Sequence, residues 1–351
     1  MGAFTAQELA NIGNSVLDYH FKGRADPQTI QNKPLWKALK SKQGSFPGGK
    51  ELITWPVVFD YTTGIQGFSH DDPVGYANPA NTKRASSNWK EIHAGIQFTA
   101  TELKHAGITI VDTLDGSSMS NKSGRDMIEL TNLWKEKLAD MDEGVDRGMN
   151  NMLWRDGTQD SSLVPGIQSF ILASPSSGVT FGLDRTANPL WRNRSIQNLS
   201  TSTPSDMAIC TALQKEYRQL RRYSGGPTHM FAGSDFIEAV EAELRAKGEL
   251  TNTGWAMSKD GKNARIEASM ADIQFKGTLI EYDPTLDDEG LADTMFWLDL
   301  NSIKLMVMDG EDMKQHTPAR PHNKYVYYRA VTWTGGIMAK RLNSSGRYKL
   351  A

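Results

Sequence analysis

Met127, Leu130, Trp134, Leu138, Met141, Val145, Met149 and Met152 follow one another at intervals of three or four residues without a break. Such spacing draws one apolar stripe along an α-helix. Ser123 stands where an N-cap belongs and Gly157 just past the far end, so the spacing predicts a helix over 123–156. At 1.5 Å per residue that helix is roughly 50 Å long. A fold that contains it needs a packing face all along it. Leu138 falls on the apolar side, Lys135 and Glu136 on the polar side. Gly144 and Gly148 each cost about 1 kcal/mol in a helix interior. They are expected to mark a bend or the close approach of another backbone. The repeat is not strictly seven-residue, so no coiled coil is expected, and its Met and Trp content reads as core.

The N-terminal region is built differently. Thr5-Ala6-Gln7-Glu8 has the form of a capping box, and Leu9, Ile12, Val16 and Tyr19 fall at helical spacing, which predicts a helix over 6–21. From there to about Gly49 the chain is polar, with Lys22, Arg24, Lys33, Lys37, Lys40 and Lys42 among scattered prolines. It reads as an arm that cannot bury itself. Two alternating stretches follow: Leu52–Phe59, with Ile53, Trp55, Val57 and Phe59 on one face, and Ile92–Ala100. Alternation with β-branched and aromatic residues predicts strands. Pro56 puts the first at an edge or a bulge. Between them lie about thirty residues rich in Gly, Pro, Asn and Asp that still carry Phe68, Tyr76 and Trp89. A connection so long is unusual inside a compact domain. The two strands and their loop are expected to form a long hairpin whose exposed aromatics need a partner surface.

Beyond the long helix the pattern is mixed. Strands are expected at 166–173, 227–233, 275–282, 294–298, 303–308, 325–334 and 336–342. Helices are expected at 205–223, with Met207, Cys210, Leu213, Tyr217 and Leu220 inward, and from Ser234 to about Leu244. This is an α+β chain with no internal repeat of 20–50 residues.

Chemistry is sparse. No phosphate-binding glycine loop, nucleophile elbow or H-E-x-x-H is present. The seven histidines include no i, i+4 pair, so no metal site is expected. Asp112–Gly116 lacks the alternating ligands of a calcium loop. Asp283, Asp287, Asp288 and Glu289 flank Pro284 and Gly290 and read as a solvated turn. The single cysteine, Cys210, excludes an intrachain disulfide. A net charge of −2 argues against a dedicated nucleic-acid binder but not against a locally basic face such as the arm. Neither a signal peptide nor a membrane span is expected. A hydrophobic content of 38% is below the usual share and suits an extended subunit that completes its burial against neighbours. No catalytic residue and no cofactor is expected.

Residues 181–193, Phe-Gly-Leu-Asp-Arg-Thr-Ala-Asn-Pro-Leu-Trp-Arg-Asn, resemble a segment of tailed-bacteriophage major capsid proteins. There a glycine-aspartate-arginine start leads into proline, tryptophan, arginine and asparagine. Gly277–Ile280 with Tyr282-Asp283-Pro284, Met295–Leu298 through Ile303–Leu305, and Trp333–Gly336 with Arg341 resemble later strands of the same family. The order of elements is similar to its coat fold, the Hong Kong 97 type. The resemblance implies an N-terminal arm at 1–47 and an extended β-hairpin loop at 48–105. It implies a peripheral domain with the spine helix at 106–165 and 311–351, and an axial α/β domain at 166–310. It also implies a structural protein of the virion, assembled in the host cytoplasm as pentamers and hexamers around double-stranded DNA, which touches the inner face without sequence specificity. Scaffolding, portal and decoration proteins would be its partners, and no membrane. Subunit-interface or packing roles are expected for Phe68, Tyr76, Trp89, Arg185, Trp191 and Arg192. No fused scaffolding segment and no crosslink through Lys83 or Asn343 is expected. The alternative is an encapsulin-like shell around a protein cargo.

Overall fold

The computed structural model describes residues 31–49, 51–59, 64–76, 81–99, 101, 110–112, 118–120, 124–223, 225–246, 273–316 and 326–351. The helix expected over 6–21 lies outside them. In chain order come α1 (Pro34–Ser41), β1 (Gly44–Phe46), β2 (Leu52–Val58), β3 (Thr82–Asn88), β4 (Lys90–Thr99), β5 (Ile110–Asp112), β6 (Ser118–Ser120) and α2 (Gly124–Trp154). Next are β7 (Val179–Thr180), β8 (Leu183–Asp184), β9 (Arg194–Leu199), α3 (Ala208–Leu220), β10 (His229–Ala232) and α4 (Ser234–Ala246). The last are β11 (Gln274–Phe275), β12 (Thr278–Tyr282), α5 (Pro284–Asp288), β13 (Thr294–Leu298), β14 (Ile303–Met308), β15 (Lys314–His316), β16 (Val326–Ala339) and β17 (Gly346–Leu350). Two compact units result. The first takes Met1–Gln31, Glu91–Gly148 and Gly310–Thr334, the second Asn32–Lys90, Met149–Asp309 and Gly335–Ala351.

The long helix is α2, unbroken through Gly144 and Gly148. Open space surrounds both glycines, so they admit no close backbone and cause no break. Of the stripe, Met141, Met149 and Met152 are buried and Val145 is half-buried. The side chains of Met127, Leu130, Trp134 and Leu138 lie outside the described residues. In the first unit, β15 pairs antiparallel with residues 330–332 of β16, Lys314 opposite Thr332, and β4 pairs with β16 as well. Trp333 is the large buried side chain of that strand.

The second unit is organised by a six-stranded sheet in the order β11-β12-β10-β13-β17-β9. β13 is buried at every position. Met295 and Trp297 join Leu213, Leu220, Phe236 and Val240 of α3 and α4 in one core. Phe296, on the opposite face by strand alternation, packs on Trp154 with ring centroids 5.0 Å apart. A strand apolar on both faces is a central strand, and β10 and β17 pair with its two sides. Residues 335–351 thus lie in the second unit with 32–90 and 149–309, and the charged-looking Gly-Arg-Tyr-Lys-Leu of β17 is an inner strand. The expected single strand over 275–282 is a hairpin, because Lys276 and Gly277 both have positive φ, 52° and 83°, the geometry of a two-residue turn. No strand forms over 166–173. A Cβ at Gly166 would come within 2.2 Å of the Leu153 carbonyl oxygen, and this close approach is followed by a 3-10 turn at Ile167–Ser169.

Three further expectations are corrected. β2 pairs with β3, Trp55 opposite Ala85, and not with Ile92–Ala100. The arm buries its second part: Leu35, Trp36 and Leu39 of α1 are inside, and the Trp36 N–H donates to Asn150 Oδ1 at 2.9 Å. Finally, the acidic turn is no solvated loop. Asp283 is fully buried at the N-cap of α5, Asp287 accepts from Tyr282 Oη at 2.7 Å and from the Ser234 N–H at 2.9 Å, and Glu289 pairs with Arg155 at 2.8 Å.

The start of α3 shows how one helix is finished by another. Met207, its N-cap, has φ of 51° and no capping side chain. Instead Glu243 of α4, buried, accepts from the Ile209 and Cys210 N–H groups at 2.8 and 2.9 Å. Glu243→Ala orphans two donors at a buried helix end and is expected to cost about 2 kcal/mol. Urea unfolding of the free subunit measures it. An unshifted midpoint would show that the carboxylate is not the cap.

Candidate functional site

β2 and β3 form a two-stranded ribbon in which every second residue of β2, Ile53, Trp55 and Val57, is buried and the others are exposed. Pro56 costs no ladder beyond its own pair because the ribbon has no third strand. Trp55 fastens the base by donating Nε1–H to the Ala339 carbonyl at 2.9 Å. Past Phe59 the chain leaves the ribbon, and all described residues from 64 to 76 are exposed. Ile65, Phe68, Val74 and Tyr76 are among them, Phe68 at 69% and Tyr76 at 96%. The loop has local order: Asp72 Oδ2 accepts from the Ser69 N–H at 3.0 Å, and Gln66 Oε1 from the Gly75 N–H at 3.0 Å. It has no core of its own. Trp89, expected beside Phe68 and Tyr76 as an exposed aromatic, is half-buried and engaged.

The ribbon is tied down by the segment 179–193. β7 and β8 make a minimal hairpin whose two turn residues, Phe181 and Gly182, have φ of 53° and 77°. A phenylalanine pays a steric penalty there. Its ring offsets that by packing on Trp55 and Phe170, each at 5.3 Å between centroids. The Phe181 carbonyl also accepts from the Ser86 N–H of β3 at 3.0 Å. Asp184 Oδ1 caps the next turn through the Thr186 N–H at 2.8 Å. Pro189 then opens a 3-10 turn that carries Trp191 inward. Trp191 donates to the Thr180 carbonyl at 3.2 Å and meets Phe59, the last residue before the loop, edge-on at 5.9 Å. Lys83 of β3 donates to Asn188 Oδ1 at 2.8 Å and lies over Phe59.

Arg185 is the centre of this knot. It is fully buried, and it donates to Thr180 Oγ1 and Asn193 Oδ1, both at 2.8 Å, and to the Phe170 carbonyl. All three partners are neutral. Burial, with Arg192 nearby adding to it, pushes the guanidinium down to about 10. Arg192 is half-buried and clamps the same turn, donating to the carbonyls of Arg185 at 2.8 Å and Thr186 at 3.2 Å. The geometry therefore divides the six expected residues. Arg185, Trp191 and Arg192 hold the base of the ribbon, Phe68 and Tyr76 stand at its exposed end, and Trp89 lies at the β3–β4 junction. Phe170, Thr180 and Phe181 also build the knot, and nothing in the sequence marks them for it. The positive-φ turn that places Phe181 has no residue signature beyond Gly182.

Among the described residues no group of three or more His, Cys, Asp or Glu side chains is arranged to hold a metal, and no helix is long and apolar enough to cross a membrane.

No family model and no curated protein matches the sequence. Solved structures do match. The capsid asymmetric unit of cyanophage A-1(L) is 13% identical, with a TM-score of 0.64 over 93% of this chain and 94% of that one. The capsid of Myoviridae phage XM1 is 11% identical, with a TM-score of 0.53 over 100% and 99%. The capsid of a native GTA particle is 13% identical, with a TM-score of 0.53 over 95% and 98%. At these identities the likeness is one of fold, and the fold is the α+β phage coat fold expected from the sequence.

Proposed function

We propose that this chain is a major capsid protein, a structural subunit that assembles into the icosahedral head of a tailed phage. The observation that carries the reading is the ribbon of β2 and β3 with its loop. It is fastened at its base and exposes Ile65, Phe68, Val74 and Tyr76, which nothing among the described residues covers. Clustered apolar exposure of this kind belongs to a contact surface. The near full-length likeness to phage capsid subunits supports the same reading. In it residues 166–310 form the axial domain, and 106–165 with 311–351 the peripheral domain. The copies form pentamers and hexamers and enclose double-stranded DNA, with scaffolding, portal and decoration proteins as further partners. Assembly takes place in the host cytoplasm, the mature location is the virion, and the role is structural, not catalytic.

Light scattering and electron microscopy of the purified protein test this, with and without a co-expressed scaffolding protein. Closed shells are the expected result. A monomer that persists at high concentration under both conditions would overturn it.

The loop at 64–76 should exchange its amide hydrogens fast in the free subunit and slowly in the shell. A double variant, Phe68→Asp with Tyr76→Asp, should keep the stability of the free subunit within about 0.5 kcal/mol, since both side chains are exposed, and should lose shell formation. Shells in normal yield from this variant would remove the loop from the contact surface.

A further inference from the structure

The net charge of the chain is close to balance, yet one place gathers cations. Gln214, Tyr217 and Arg218 of α3, then Arg221 and Arg222 just beyond it, and Lys276 at the β11–β12 turn line a shallow open cleft of about 590 Å³. None of the four cations makes an ion pair among the described residues. Glu216, on the same helix, is buried and already bound through both oxygens to Arg194 at 2.8 Å. Tyr217 is held from below by edge-on contacts with Phe275 at 6.0 Å and Trp297 at 6.2 Å. The guanidinium of Arg221 lies over the Tyr217 ring at 5.6 Å, and that of Arg222 over Tyr223 at 5.5 Å. Stacking of this kind engages the face of a guanidinium and leaves its N–H edges free. Lys276, exposed on the β11–β12 turn, adds the fourth cation to the lining.

Three guanidinium forks and one ammonium, unpaired and spread along an open surface, suit a chain of phosphates better than a single enclosed ligand. The arm is less suited. Among its described residues Lys33 is buried, Lys37 donates to Asn32 Oδ1 at 3.3 Å, and Lys40 lies over Trp36 at 5.2 Å. We infer that the cleft of Arg218, Arg221, Arg222 and Lys276 binds the phosphodiester backbone of the packaged double-stranded DNA. The inference rests on the shell reading for the source of that DNA.

The test uses the full-length, unassembled subunit and a short fluorescent DNA duplex at low salt, followed by anisotropy. Arg218→Glu with Arg222→Glu should weaken binding by at least about tenfold and lower the slope of log K against log salt by about 2, the share of two phosphates. Lys276→Glu, a single change on an exposed turn, should weaken it in the same direction and serves if the double variant does not fold. Lys37→Glu with Lys40→Glu should stay within about twofold of wild type. Unchanged duplex affinity in both cleft variants would overturn the inference. So would tighter binding of poly-glutamate than of DNA with the same sensitivity to these variants, which would assign the cleft to an acidic protein. Electron microscopy of the same variants after assembly separates the two readings. Normal shells with an indifferent cleft sink this inference alone, whereas duplex binding without shells sinks the shell reading.

Discussion

Arg185→Ala is expected to cost about 5 kcal/mol and to leave the subunit largely unfolded at ordinary temperature. The change removes a fully buried side chain and opens a cavity, at about 2–5 kcal/mol for a large truncation. It also strands Thr180 Oγ1 and the Phe170 carbonyl, each buried acceptor at about 1–3 kcal/mol, while Asn193 Oδ1 keeps only the Leu172 N–H at 3.1 Å. Partial collapse and water entry keep the total near the lower sum. Arg185→Lys keeps the charge, but a single ammonium cannot reproduce the fork across three acceptors, so about 2–3 kcal/mol is expected to go. Arg185→Met fills the space and removes the desolvated cation, which offsets part of the loss. The order of midpoints in urea should be wild type, then Met and Lys, then Ala. A loss below about 1 kcal/mol for Ala would mean that the guanidinium does not hold the knot. Because Arg185 braces the turn that meets Phe181 and Trp191, hydrogen exchange in β3 should rise with the same variants.

Asp283→Ala is the second large effect, at about 4 kcal/mol. The carboxylate accepts from Trp154 Nε1 at 2.7 Å, from Asn150 Nδ2 at 3.2 and 3.3 Å, and from the Thr285 N–H at 3.0 Å. Without it three buried donors lose their acceptor, at about 1–3 kcal/mol each. Part of the loss is recovered because Asn150 still donates to Thr285 Oγ1 at 2.8 Å. Burial is the main cause that pushes this carboxyl above the usual carboxylate range, while the hydrogen bonds from Trp154, Thr285 and Asn150 pull the other way. A carboxyl raised on folding favours the native state fully below its unfolded value, about 3.9. That advantage fades as pH rises through its higher folded value. Stability of the wild type relative to Asp283→Asn should therefore increase as pH falls from neutral toward about 4. A difference that shrinks over that range would show the carboxylate to be stabilised by its surroundings instead.

The elements read correctly from sequence share one property: their own apolar pattern matches their burial. The repeat that predicts α2 places its ends within two residues of those observed, Gly124 and Trp154. The alternation in β2 matches its burial at every position, and β13 and β14 have the bounds expected of them. The misread elements lack that property. β3 is Thr-Lys-Arg-Ala-Ser-Ser-Asn, with one buried residue, Ala85, so nothing in it marks the partner of β2. β17 alternates Gly, Tyr and Leu with Arg and Lys, and its charges hide a strand that is buried every second residue. In α1, five buried apolar residues sit beside Lys37 and Lys40, and the surrounding polar chain masks this short stretch of burial.

The candidate site divides along the same line. Phe68 and Tyr76 were readable as exposed aromatics because nothing near them in sequence could form a core. The pattern around Arg185, Trp191 and Arg192 marked the segment but not its use, since a guanidinium can serve an interface or an interior equally well until its acceptors are known. Those acceptors come from Phe170, Thr180 and Asn193, up to fifteen residues away. Asp283 hides its role for the same reason: four acidic residues in a turn look solvated until Asn150 and Trp154 arrive from a helix more than a hundred residues earlier.

Local spacing by itself determined the long helix, the alternating strands and the α+β class, because those depend on which side of one element is apolar. Tertiary structure alone decided that β3 and not β4 pairs with β2, that the last strand lies inside the six-stranded sheet, and that Arg185 and Asp283 are buried. Pairing and polar burial depend on groups brought together across the chain. Their free energy comes from partners that no window of neighbouring residues contains.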